Sequence, residues 1–151
     1  MPAASGSGRA SRGSEGHLAK EAVNPPSLFR SLDYGFSQGV VASGRRTLYV
    51  GGQTAWDARK EIVGGADVGA QARQAFRNLR SVVEAAGGRL SDVVSVRIYV
   101  VDYTPRKAGP VGSAFREAFG GATAPACTWI GVSALADPAF LIEVEATAVL
   151  D

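Results

Sequence analysis

The sequence predicts an α+β fold, a mixed sheet with two helices packed on one face, and three segments carry that expectation. Residues 68 to 86 hold apolar side chains at helical spacing and are closed by Gly87-Gly88. Residues 93 to 101 are β-branched and alternate in polarity, and residues 140 to 150 alternate again. With a second helical stretch and a further strand between them, the predicted order is two strands, helix, strand, helix, two strands.

Residues 1–23 carry Gly, Ser, Ala and scattered charge without periodicity, the composition of a disordered extension, so the single folded domain is placed at residues 24–151. Asn24-Pro25-Pro26 makes a stiff extended entry, because each proline fixes its own φ and pushes its predecessor away from helix. Residues 38–42 and 47–51 flank Ser43-Gly44-Arg45-Arg46 and predict a hairpin. Gly51-Gly52 ends its second strand, either where backbone passes something closely or where the chain turns, and sequence alone favours the turn.

Asp67 is the expected N-cap of the first helix, with Val68, Ala72, Phe76, Leu79, Val83 and Ala86 along its apolar stripe. The strand at 93–101 sets Val94, Val96, Ile98 and Val100 on one face and Ser95, Arg97 and Tyr99 on the other. Val111, Phe115 and Phe119 mark the second helix, which Gly120-Gly121 stops. Residues 127–132 and 140–150 are the last strands, divided by Asp137-Pro138. In the final strand Ile142, Val144, Ala146 and Ala148 turn to the core, while Leu141, Glu143, Glu145 and Thr147 turn away. The helix-free face of the sheet, expected to display Cys127, Trp129 and Gly131 beside the Glu143 strand, would meet water or another subunit.

A chain of 151 residues with 46% hydrophobic composition can bury one core of ordinary size. No apolar run approaches the roughly 20 residues that cross a bilayer, so a cytoplasmic protein without membrane contact is expected. Cys127 is the only cysteine and His17 the only histidine, and His17 lies in the polar extension. An intrachain disulfide is thereby excluded, and neither a Cys/His metal cluster nor a histidine-activated nucleophile is expected. Acid–base work falls to carboxylates, tyrosine, lysine, the thiol or water. Sixteen basic residues face 14 acidic ones, spread along the chain, which gives no basic patch of the kind nucleic acid requires. Arg73, Arg77 and Arg80 share one helix face, read as solvated rather than phosphate-binding. Arg45-Arg46, Arg59-Lys60 and Arg106-Lys107 fall in turns and serve solubility.

An ordered set of motifs spans the domain: Phe36-Ser37-Gln38-Gly39, Gly52-Gln53, Ala70-Gln71-Ala72-Arg73-Gln74 with Asn78, Ala124-Pro125-Ala126-Cys127-Thr128-Trp129, and Leu141-Ile142-Glu143-Val144-Glu145-Ala146. In this it resembles the Rid (reactive intermediate deaminase, YjgF-like) family from about Asn24 to Leu150. The resemblance implies a chorismate-mutase-like fold and a homotrimer whose sheets line a central barrel, with three ligand clefts between subunits. In the family's deaminase branch the residue after Pro-Ala is an arginine that clamps the substrate carboxylate. A glutamate on the last strand and a backbone group then position water at an imine carbon. Here Cys127 stands at the arginine position, Glu143 at the glutamate, Phe36 where a tyrosine is usual, and Gly51 where a serine is common.

A thiol offers one weak donor where arginine offers a rigid fork, so efficient hydrolysis of small 2-imino acids is not expected. Arg97 or Arg116 would replace the cation if either reached the cleft. The resemblance thus implies Glu143 and Cys127 as catalytic candidates, and Phe36, Gln53, Trp56, Trp129, Arg97 and Arg116 as substrate-binding ones. Cys127 has three readings: a nucleophile, which lacks a base here; a small, soft pocket wall; or an inert buried thiol. Glu143 is either the group that moves a proton or the partner of a nearby arginine, and the tryptophans could equally anchor subunit contacts. The implied activity is cofactor-free hydrolysis of a reactive imine, enamine or related intermediate, shifted toward larger or aromatic substrates. The alternatives are a ligand-binding trimer without turnover and a biosynthetic enzyme catalysing tautomerisation. A ribonuclease reading lacks both a basic groove and a histidine pair.

Overall fold

The computed structural model describes residues 19–121 and 123–151, which leaves His17 and most of the polar extension outside the described residues. Strand β1 (Ala19–Val23) pairs antiparallel with β2 (Gly39–Ser43) as a separate ribbon. Residues 19–23, placed in the extension on composition, are therefore ordered backbone. Lys20 Nζ reaches the carbonyls of Ser91 and Val93 and ties the ribbon to the main sheet. Strand β3 (Arg46–Gln53) joins that main sheet, so the hairpin expected between residues 38–42 and 47–51 does not form. Its strands pair elsewhere, β2 with β1 and β3 with β6.

Helix α1 (Val68–Ala85) starts where Asp67 accepts hydrogen bonds from the N–H groups of Gly69 at 2.8 Å and Ala70 at 3.1 Å. It ends before Gly87, whose φ of +86° places it in the left-handed region. Ala72, Ala75, Phe76, Leu79 and Val83 form its buried face. Strand β4 (Val93–Val101), helix α2 (Pro105–Phe119) and strand β5 (Ala126–Val132) form a parallel crossover, and β6 (Ile142–Leu150) completes the sheet in the order β3-β6-β4-β5. β6 is antiparallel to both neighbours, so the sheet is mixed, with both helices on one face.

Between helices and sheet lies the core, where Phe76, Phe115 and Phe119 meet with ring centroids 4.9 to 6.0 Å apart. β6 alternates as expected, with Ile142, Val144, Ala146, Ala148 and Leu150 buried. In β4 a register shift between Val93 and Ser95 absorbs one residue, so Val93 is buried in place of the expected Val94. The opposite sheet face carries Ser95, Arg97, Tyr99, Glu143, Glu145 and Thr147 with no helix over it. Among the described residues, no helix is long and apolar enough to cross a membrane.

Gln71 is the one fully buried amide of α1. Its Nε2 donates to the carbonyls of Gly65 at 2.7 Å and Ala139 at 2.9 Å, and its Oε1 accepts from Leu141 N–H at 2.9 Å. Asn78 donates to the carbonyls of Thr54 and Trp56 and accepts from Gln74. The helix residues that carried part of the family resemblance are thus latches that fix the loops entering β6 and leaving β3.

Candidate functional site

Two sets of candidate residues come together, on opposite faces of the sheet. The first is a cleft of about 390 Å³ between β5 and α2, lined by Phe36, Tyr103, Ala108, Gly112, Phe115, Arg116, Cys127 and Trp129. Its size suits a small organic ligand. Phe36 is delivered to it by Ser37, a buried residue whose N–H donates to Pro125 O at 3.0 Å and whose Oγ donates to Ala124 O at 2.7 Å. That bridge lays residues 36–37 alongside the Pro125-Ala126-Cys127 segment.

Cys127 and Trp129 pair in register with Val96 and Ile98 of β4, whose side chains enter the core. They therefore point to the helix side, which overturns the expectation that they look out on the open face. Trp129 meets Tyr103 edge-on, with ring centroids 6.4 Å apart. Burial pushes the Cys127 thiol up to about 12, with the Trp129 side chain pulling weakly the other way. At neutral pH the group is a neutral thiol, which argues against the nucleophile reading and leaves a cleft wall.

The second set surrounds Glu143. This residue sits opposite Tyr99 on the uncovered face of the sheet. A register shift between Val50 and Gln53 puts an extra residue into β3, and the bulge brings the backbone of Gly52 under the Glu143 carboxylate. A Cβ at Gly52 would overlap Glu143 Oε1 and stand 2.6 Å from its Cδ. Gly51-Gly52 is thus a close approach rather than the favoured turn. Gln53 folds its amide back on Gly51 O at 3.0 Å. Among the described residues no side chain hydrogen-bonds or ion-pairs with Glu143.

Its neighbour Glu145 is committed instead. Arg97 Nη1 and the Tyr99 hydroxyl both donate to Glu145 Oε1 at 3.0 Å, and these two donors hold its carboxyl below the ordinary range. The arginine partner considered for Glu143 belongs to Glu145, and Arg97 is on the wrong face to serve the cleft. Arg116 is the cation that lines it. Trp56 also lies elsewhere, edge-on to Phe140 at 4.8 Å with Lys60 over its ring. Arg73, Arg77 and Arg80 share a groove between the helices with Glu117, and Arg77 is held by Gln74.

Sequence reasoning missed Tyr103, Ala108 and Gly112. A loop tyrosine carries no periodic signal, but a glycine inside a helix does: it costs roughly 1 kcal/mol against alanine and calls for a packing reason.

A family model described as Endoribonuclease L-PSP matches residues 32–150. A 2-iminobutanoate/2-iminopropanoate deaminase of Dermatophagoides farinae is 31% identical over 105 residues, covering 70% of this chain and 79% of that protein. The solved structure of YyfB from Yersinia pestis, a protein of unknown function in the Rid family, is 41% identical with a TM-score of 0.84 and covers 87% of this chain and 98% of its own. That of Rv2704 from Mycobacterium tuberculosis, in the YjgF/YER057c/UK114 family, is 33% identical with a TM-score of 0.59, over 87% and 99%.

Proposed function

The chain belongs to the Rid (YjgF, endoribonuclease L-PSP) family, and from that membership we propose that it hydrolyses a reactive imine or enamine at a cleft completed by a second copy of itself. The observation that carries this reading is the Glu143 carboxylate, poised over glycine backbone without a partner while Glu145 beside it is neutralised. A carboxylate so placed can hold a water molecule and accept its proton.

In the proposed reaction the water oxygen bonds to the imine carbon as Glu143 takes the water's proton. Glu143 returns that proton to nitrogen to give a carbinolamine, whose hydroxyl proton then passes through the same carboxylate to nitrogen as the carbon–nitrogen bond breaks, so ammonia leaves and a carbonyl product remains; no electrons change hands. Cys127 and the aromatic wall would hold the substrate body. The two sets cannot share a small ligand within one chain, since β4 lies between β5 and β6 and the side chains leave opposite faces. A homotrimer that sets the cleft of one subunit against Glu143 of the next would resolve this. Apolar surface left open on the single chain supports assembly, with Val41 57% and Tyr49 79% exposed.

The test is ammonia release from imines made in place by an amino-acid oxidase from phenylalanine, leucine and alanine. The wild type should accelerate hydrolysis most with the aromatic imine. Glu143→Gln should lower the rate by about 100-fold, the usual scale of a lost proton acceptor, and Cys127→Ala should keep it. No acceleration with any imine, or full activity in Glu143→Gln, would refute the reading.

A further inference from the structure

The cleft holds a cation that the reaction described above leaves without a task. Arg116 projects from the last turn of α2, and two glycines make room for it. Gly35, at φ +89°, lies along its stem: a Cβ there would stand 3.1 Å from Arg116 Cγ. Gly112, one turn earlier on the helix, lies under its head: a Cβ there would stand 3.3 Å from Arg116 Nη1 and 3.8 Å from Trp129 Cη2. The guanidinium is thereby brought back along the helix toward the Trp129 ring. Among the described residues no carboxylate pairs with it, and no acceptor takes its donors. A forked donor at an aromatic cleft is complementary to a carboxylate carried on a flat apolar body.

We propose that Arg116 is the carboxylate-recognition residue of this site and that its ligands are aromatic 2-imino acids or 2-oxo acids, with the carboxylate on Arg116 and the ring against Trp129, Tyr103 and Phe36. This rests on the hydrolytic reading and deepens it. The cation has moved from the strand position now held by Cys127 to the facing helix, and the volume an arginine would fill at 127 admits the ring. Short aliphatic imino acids would reach Arg116 but leave the aromatic wall unfilled.

Two probes separate recognition from turnover: phenylpyruvate, which has the ring and carboxylate but no imine, and phenylacetone, which lacks the carboxylate. By calorimetry the wild type should bind phenylpyruvate at least about 10-fold more tightly than phenylacetone, the scale of a charge-assisted contact. Arg116→Gln should bind the two alike, Arg116→Lys should recover part of the difference, and Gly112→Ala, which presses on the guanidinium at 3.3 Å, should reduce the preference by less than Arg116→Gln does. In turnover of the phenylalanine-derived imine, Arg116→Gln should raise KM about 10- to 100-fold with little change in kcat.

Arg116-dependent phenylpyruvate binding without turnover of any imine would sink the hydrolytic reading and uphold this one. Glu143-dependent turnover with a wild-type KM in Arg116→Gln would do the reverse. Failure of the wild type to prefer phenylpyruvate would overturn the assignment outright.

Discussion

Cys127 shows how burial limits what a side chain in the cleft can do. Its thiol is raised from 9.0 to about 12 by burial, so the folded chain keeps a proton that the unfolded chain would release. The stability this contributes is complete below about pH 9 and is lost as pH climbs toward 12. Folded protein at pH 8 should therefore react with iodoacetamide about 1,000-fold more slowly than protein unfolded in urea, since only thiolate attacks. Alkylation at the rate of a free cysteine would show that the thiol is activated. Sequence made half of this legible: with His17 as the only histidine, no base was at hand. It could not tell which way Cys127 faces, because alternation groups Cys127 with Trp129 but does not say which side of the sheet the pair takes. The choice between Arg97 and Arg116 was hidden for the same reason, being settled by Glu145 on one face and by Gly35 and Gly112 on the other.

At the level of elements, α1 matters through what it holds as well as through what it buries. Gln71 satisfies two carbonyls and one N–H of the loops that lead into α1 and β6, and so sets the entry of the strand that carries Glu143. Gln71→Leu keeps the volume and strands those groups, and should cost about 2–5 kcal/mol. Urea denaturation should show the midpoint falling with an unchanged slope; an unchanged midpoint would mean that the loops find other partners. The helices and the last strand were readable because period, cap and stop agree within each segment. The hairpin was misread because neighbours in sequence are the usual pairing partners, whereas β3 pairs with β6, about a hundred residues away in register. The bulges at Val94 and at Gly51-Gly52 escaped as well, since an extra residue in one strand becomes visible only beside its partner.

For the whole molecule, we propose that one chain holds halves of two different sites. The aromatic cleft looks toward the helices and Glu143 looks away from them, so in the proposed trimer a second copy would close the site. The family resemblance implies a cleft between subunits, and under the proposed reading the sheet order is the reason one would be needed. The most direct measurement is complementation. Glu143→Gln has an intact cleft and no proton acceptor; Gly112→Leu keeps Glu143 and fills the cleft. Each homo-oligomer should be inactive in phenylalanine-derived imine hydrolysis. Co-expressed in equal amounts, they should recover about a quarter of the wild-type activity, because one interface in four then joins an open cleft to a native Glu143 in a randomly mixed ring. A mixture as inactive as its parents would contradict the account, and would place both halves of the working site on a single chain.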